Sequence, residues 1–137
     1  MKTGHYALAL ALAFGVSSQA GAACTQNFLA GKWSVYVQGA GSSSAATACN
    51  VVISSTGALS ASSECASTNG LSSPVRGSIK LLNANICDYG GTVTLTAFAL
   101  KEQFLRSTLA PDRSVLSGVG YEPSTKVGYV FTMIRLP

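Results

Sequence analysis

Histidine is the scarcest chemically useful residue in this chain. The single imidazole, His5, stands close to the amino terminus, inside a stretch read below as a removable leader. The remainder therefore has no side chain whose ordinary titration falls near neutrality. Charge is scarce as well, with nine Lys and Arg against five Asp and Glu and a charged fraction of 10%. The basic residues Lys32, Arg76, Lys80, Lys101, Arg106, Arg113, Lys126 and Arg135 are scattered singly. A nucleic-acid surface needs a basic stripe interleaved with exposed aromatics, so nucleic acid is excluded as a partner. No CxxC pair is present, which removes the usual zinc frameworks, and neither a metal nor a cofactor is expected. The longest apolar run, Tyr6 to Val16, falls short of the roughly 20 residues that cross a bilayer, so no transmembrane segment is expected.

That run has another reading. Lys2 precedes it and the small residues Ser17-Ser18-Gln19-Ala20-Gly21-Ala22-Ala23 follow it. A basic start, a short apolar core and a small-residue cleavage region make a secretory signal peptide. The sequence thus predicts a leader over residues 1–23 and one domain over 24–137, secreted or periplasmic. A lipoprotein, acylated at Cys24, is the competing reading, and Gly21 stands where such a site wants an apolar residue.

Four cysteines remain, Cys24, Cys49, Cys65 and Cys87. In an exported chain of this size an even number predicts two disulfides, with three connectivities open from spacing alone.

What is abundant is alternation. From Gly31, residues Trp33, Val35 and Val37 alternate with Lys32, Ser34, Tyr36 and Gln38, the period of a strand with one buried face. Further strands are read over Cys49–Ser54, Ala58–Cys65, Val75–Leu82, Gly91–Leu100, Gln103–Leu109, Ser114–Tyr121 and Val127–Leu136. Between them stand a Gly, Ser and Ala-rich loop from Gly39 to Ala48, turns at Ser55-Thr56-Gly57 and Pro111-Asp112-Arg113, and a short Lys101-Glu102 connection. Gly118 and Gly120 are read as easing curvature. Eight short strands without a long crossover make an all-β, eight-stranded antiparallel up-and-down meander barrel, since closure removes both edges.

Topology then selects the disulfides. With the first strand running up, Cys49 and Cys65 lie toward the top, and Cys24 and Cys87 at the bottom. A bridge needs alpha carbons within about 7 Å, so Cys49 pairs with Cys65 and Cys24 with Cys87. The same reasoning brings Trp33 beside Arg135 at the bottom, where a guanidinium can lie on the indole face.

Gly31-Lys32-Trp33 with Arg135 resembles the Gly-x-Trp of the calycins, whose last strand supplies a basic residue over the tryptophan. The resemblance implies a lipocalin-like barrel closed at one end, and Trp33 and Arg135 as structural residues. The chain is shorter than most lipocalins and lacks their long helix. Gly77-Ser78-Ile79-Lys80-Leu81 and Gly91-Thr92-Val93-Thr94-Leu95 are similar to strand openings of short secreted bacterial β proteins, a group without an established activity.

Sites for chemistry are few. Glu64, Asp88, Glu102, Asp112 and Glu122 are read at strand ends or turns, where carboxylates serve solubility, and no serine has a base in its neighbourhood. No enzymatic activity is expected. Binding is the better class, with Val35, Val37, Val51, Leu95, Ala97, Tyr129 and Phe131 as candidate lining residues for a small apolar ligand. Two alternatives stand beside it. One is inhibition of a secreted protease, because the design resembles the small periplasmic metalloprotease inhibitors and Cys24-Thr25-Gln26-Asn27 matches their arm. The other is a structural or cell-surface module, because the last strand is apolar on both faces, which makes it a monomer or weak homodimer.

Overall fold

The computed structural model describes residues 23–39 and 46–137. All but the last residue of the leader read over 1–23, and the centre of the Gly/Ser/Ala loop, 40–45, lie outside the described residues.

Eight antiparallel strands run in chain order, β1 Gly31–Gly39, β2 Thr47–Ile53, β3 Glu64–Ser67, β4 Ser72–Asn83, β5 Asp88–Leu95, β6 Leu100–Leu109, β7 Val115–Glu122 and β8 Val127–Arg135. Each pairs with the next and β8 returns to β1, which closes the barrel. Alternation sets the inner face: Trp33 and Val35 of β1 and Tyr129, Phe131 and Met133 of β8 are buried, while Tyr36, Val130 and Ile134 face outward. Closure pairs Trp33 with Arg135 across β1 and β8, and with Val51 across β1 and β2.

Two stretches depart from the sequence-based expectation. The third strand does not run from Ala58 to Cys65 but spans only Glu64–Ser67. Ser60 to Ser63 offers no β-branched or large apolar side chain, and the segment is held instead by irregular bonds. Leu59 N–H donates to the Gly77 carbonyl at 2.9 Å, and Ile79 N–H to the Gly57 carbonyl at 2.9 Å. The buried Ser63 hydroxyl accepts from Val52 N–H at 3.1 Å.

The second departure concerns Lys101-Glu102, which is not a connection. β5 ends at Leu95, a 3-10 turn covers Thr96–Phe98, and Ala99 adopts a left-handed conformation with φ 52°. Two bonds draw this turn over the start of β4: Ala97 N–H to the Ser73 hydroxyl at 2.9 Å, and the Thr96 hydroxyl to the Pro74 carbonyl at 3.1 Å. The chain reverses early, so Lys101 and Glu102 belong to β6.

Both disulfides form as topology requires, Cys24–Cys87 and Cys49–Cys65. Cys49 and Cys65 are register partners on β2 and β3. Cys24–Cys87 ties the lead-in to the turn between β4 and β5. No helix among the described residues is long and apolar enough to cross a membrane.

Candidate functional site

The two ends of the barrel differ. At the bottom the lead-in folds into a 3-10 turn, Gln26–Leu29, that plugs the opening. Leu29, Trp33, Tyr89 and Leu116 are fully buried there. The Trp33 indole donates to the Leu29 carbonyl at 2.8 Å, and the Arg135 guanidinium lies 4.4 Å from the Trp33 ring centroid. Arg135 donates further to the carbonyls of Ala30, Phe28 and Arg113, while Arg113 stacks on Phe28 at 3.5 Å. Gln26 is clamped to β4 through Ile79 and Leu81, and the Tyr89 hydroxyl donates to the Thr25 carbonyl at 2.9 Å. Among the described residues no buried side-chain polar atom at this end lacks a partner, so the base is a structural plug.

The upper half is not filled by side chains. A cavity of about 60 Å³ lies inside the barrel, bounded by Val35 and Val37 of β1, Thr47, Cys49 and Val51 of β2, and Leu59 and Cys65. Val75, Ile79, Val93, Leu95, Glu102, Phe104, Tyr129 and Met133 complete its wall. One water needs about 10–15 Å³ on this measure. The space therefore matches roughly four waters, and it is not sealed from solvent.

Local sequence explains why room remains. Gly118 and Gly120 of β7 sit opposite Phe131 and Tyr129 of β8. A β-carbon at Gly120 would collide with the Tyr129 phenol, and one at Gly118 with the Phe131 ring. Glycine at these positions lets both aromatic rings lie against the wall instead of projecting across the barrel. A β-carbon would also strike the backbone of β6, the Arg106 carbonyl at Gly118 and the Gln103 carbonyl at Gly120, so the two glycines admit the neighbouring strand as well as the rings. Phe104 adds a third ring, its centroid 4.5 Å from that of Phe131 and 6.1 Å from that of Tyr129 in an edge-on arrangement. Gly120→Ala is expected to displace both the Tyr129 ring and the facing Gln103 carbonyl and to cost at least about 1–3 kcal/mol, read from the shift in denaturant midpoint.

One pole of this apolar space is polar. Glu102 and Tyr129 face each other there without an aligned hydrogen bond: the carboxylate Oε2 and the phenolic hydroxyl are both shut off from solvent and neither has a partner. They are close enough to influence each other's titration. Burial, and then the Glu122 charge, push the Glu102 carboxyl above its usual range, while the Tyr129 hydroxyl acts the other way. Burial, and then Glu102, push the Tyr129 phenol far above its own.

The sign of the consequence follows by linkage. Below the ordinary glutamate value of about 4.3 both folded and unfolded states hold the proton. Above it the unfolded state ionises first, so the folded state loses stability as pH rises, until its own raised pKa is passed. Glu102→Gln removes this loss. The melting-temperature gain of Glu102→Gln over wild type is expected to be smallest near pH 3 and to widen toward neutrality. A gain independent of pH would contradict the assignment.

Of the residues singled out from sequence, Val35, Val37, Val51, Leu95 and Tyr129 lie on the cavity wall. Ala97 does not: it is exposed on the 3-10 turn, because the alternation of β5 stops at Leu95. Phe131 is buried behind Phe104 and supports the wall without lining the cavity. Glu102 and Phe104 were not anticipated. The available signal was the period-two phase of Leu100, Glu102 and Phe104, hidden by reading Lys101-Glu102 as a turn. Of the remaining carboxylates, Glu122 at the end of β7 lies near enough to act on Glu102, while Glu64 and Asp112 are exposed. Asp88, at the base, accepts from Ser107 N–H at 3.0 Å and approaches Arg106 at 3.8 Å. Among the described residues, no three His, Cys, Asp or Glu side chains converge on one point.

No protein-family model and no curated protein sequence matches the chain. Among solved structures it is similar to a redesigned β barrel, b11L5F_LGL, at 17% identity with a TM-score of 0.62, covering 88% of this chain and all of that one. It is also similar to EF1p2_mFAP2b bound to DFHBI, at 12% identity with a TM-score of 0.63, covering 82% of this chain and all of that one. At such identities the likeness concerns architecture alone: the chain is an eight-stranded antiparallel barrel, and membership of the calycins is not established by it.

Proposed function

We propose that this protein is an exported, non-enzymatic binding protein whose barrel takes one small, largely apolar ligand. The carrying observation is the asymmetry of the interior: a plugged base with its buried side-chain polar atoms partnered, and above it an apolar cavity of about 60 Å³. A sequence selected only for packing fills such space, because empty core volume costs about 24 cal/mol per Å³. That a barrel of this architecture was solved bound to the small molecule DFHBI supports the use of such an interior for a ligand. Export rests on the leader pattern and on two disulfides, which persist in oxidising compartments. The non-enzymatic reading rests on the absence of imidazole after His5 and on the dispersal of the carboxylates.

Titration with toluene, followed by methyl NMR, tests this reading. Saturable one-to-one shifts are expected at Val35, Val51 and Val93, and Val51→Phe should abolish them in a barrel that remains folded. Absence of saturable binding in the wild type would overturn the proposal.

A second reading has one observation in its favour. Tyr36, Val119, Val130 and Ile134 are exposed on neighbouring strands β1, β8 and β7, an apolar outer face compatible with weak self-association or a surface module. Light scattering across a concentration series tests it, and a constant monomer mass at high concentration would remove it. The protease-inhibitor reading finds no such support, since Cys24, Thr25 and Gln26 are fastened into the base.

A further inference from the structure

We infer that the cavity selects a small apolar molecule carrying one protonated amine, held by Glu102 and Tyr129. This rests on the ligand-binding reading above and specifies its chemistry. Three observations converge on it. First, Glu102 Oε2 and the hydroxyl of Tyr129, a residue only 6% exposed, are both buried with no partner in good hydrogen-bond geometry, although the phenol lies near enough to act on the carboxylate. A buried polar atom left unpaired is costly, and more so when charged, and native structures tolerate few of them. A ligand donor arriving at this pole recovers that cost, whereas a purely apolar ligand leaves it in place.

Second, the local field is negative. Glu122 is the further charge that acts on Glu102. Among the described residues the one ion pair is Arg106 with Asp88, and no basic side chain forms an ion pair with either glutamate. A neutral donor such as an alcohol would satisfy the hydrogen bond but leave the charge, and only a cation answers both.

Third, the rings beside it suit a cation. Phe104 and Tyr129 stand edge to face at 6.1 Å on the cavity wall, and a cation near an aromatic face is attracted by the ring quadrupole, more strongly where water is excluded. The rest of the wall is Val, Leu, Ile, Met and the Cys49–Cys65 bridge, which suits a short hydrocarbon body. The groups facing Glu102 are Tyr129 from β8 and Glu122 from the end of β7, with Val93 opposite it on β5. A bound ammonium opposes the upward push that burial and Glu122 exert on the Glu102 carboxyl.

The experiment compares three probes of nearly equal size, benzylamine, benzyl alcohol and toluene, by calorimetry near pH 7 on the oxidised mature protein. Benzylamine is expected to bind at least about tenfold more tightly than toluene, the worth of one charge-assisted hydrogen bond, with benzyl alcohol between them. In Glu102→Gln the benzylamine advantage should disappear while toluene binding persists. Tyr129→Phe, checked for a native spectrum, should reduce the advantage without removing it. Toluene binding as tightly as benzylamine, or benzyl alcohol matching it, would overturn the inference while leaving the cavity reading intact. An advantage unchanged in Glu102→Gln would overturn it too. Failure of all three probes to bind would instead overturn the ligand-binding reading on which it rests.

Discussion

Trp33→Ala is expected to lower the stability of the barrel by about 3–5 kcal/mol, the usual cost of deleting a large buried ring. The effect should fall in the upper part of that range because more than packing is lost. Trp33 is wholly buried, its indole N–H satisfies the Leu29 carbonyl, and its face carries the Arg135 guanidinium. Without the ring, Arg135 loses its platform while still bonded to three carbonyls of the plug and the neighbouring turn. Urea unfolding of wild type and variant measures this. A cost below about 1 kcal/mol would mean that the base is held by its disulfide alone.

The second large effect concerns that disulfide. Replacing both Cys24 and Cys87 by serine opens a loop with a sequence separation of 63 residues, for which the chain-entropy account gives about 4 kcal/mol. The same account gives about 3 kcal/mol for Cys49–Cys65, with a separation of 16. The two losses should differ in kind as well as size. Opening Cys24–Cys87 frees the plug, so amide exchange at Leu29 and Trp33 is expected to rise toward that of the unfolded chain. Opening Cys49–Cys65 releases only one cross-strand pair in the cavity wall and should leave the base protected. Equal exchange patterns in the two variants would contradict the division of the barrel into a plugged base and a hollow upper half.

Sequence alone reached the closed meander, both disulfides and the meeting of Trp33 with Arg135, and all three follow from one property. In an antiparallel up-and-down barrel the direction of every strand is fixed by counting, so residues at strand ends are assigned to one rim without knowledge of register. Where the argument needed register or exact strand ends, it failed. Ala97 was placed on the inner face by extending the alternation of β5 beyond Leu95, but two side-chain bonds to Ser73 and Pro74 turn the chain there. Glu102 was missed for the converse reason: a charged pair between two strands reads as a hairpin turn, and only the position of the real turn puts its carboxylate inside. The pairing of Gly118 with Phe131 and Gly120 with Tyr129 also lay outside sequence reasoning, since it depends on the β7–β8 register. The apolar wall at Val35, Val37, Val51, Leu95 and Tyr129 was therefore legible in the chain, whereas its polar pole at Glu102 and the packing of rings against glycines were not.

The central claim is that the barrel is a cup and not merely a filled core. Native mass spectrometry of the oxidised mature protein, purified from a host that exports it, tests this most directly. The account predicts a reproducible small mass excess that is retained under native conditions, lost on denaturation and absent from Val51→Phe. The bare chain mass in every native preparation, unchanged after incubation with excess benzylamine or toluene, would contradict it.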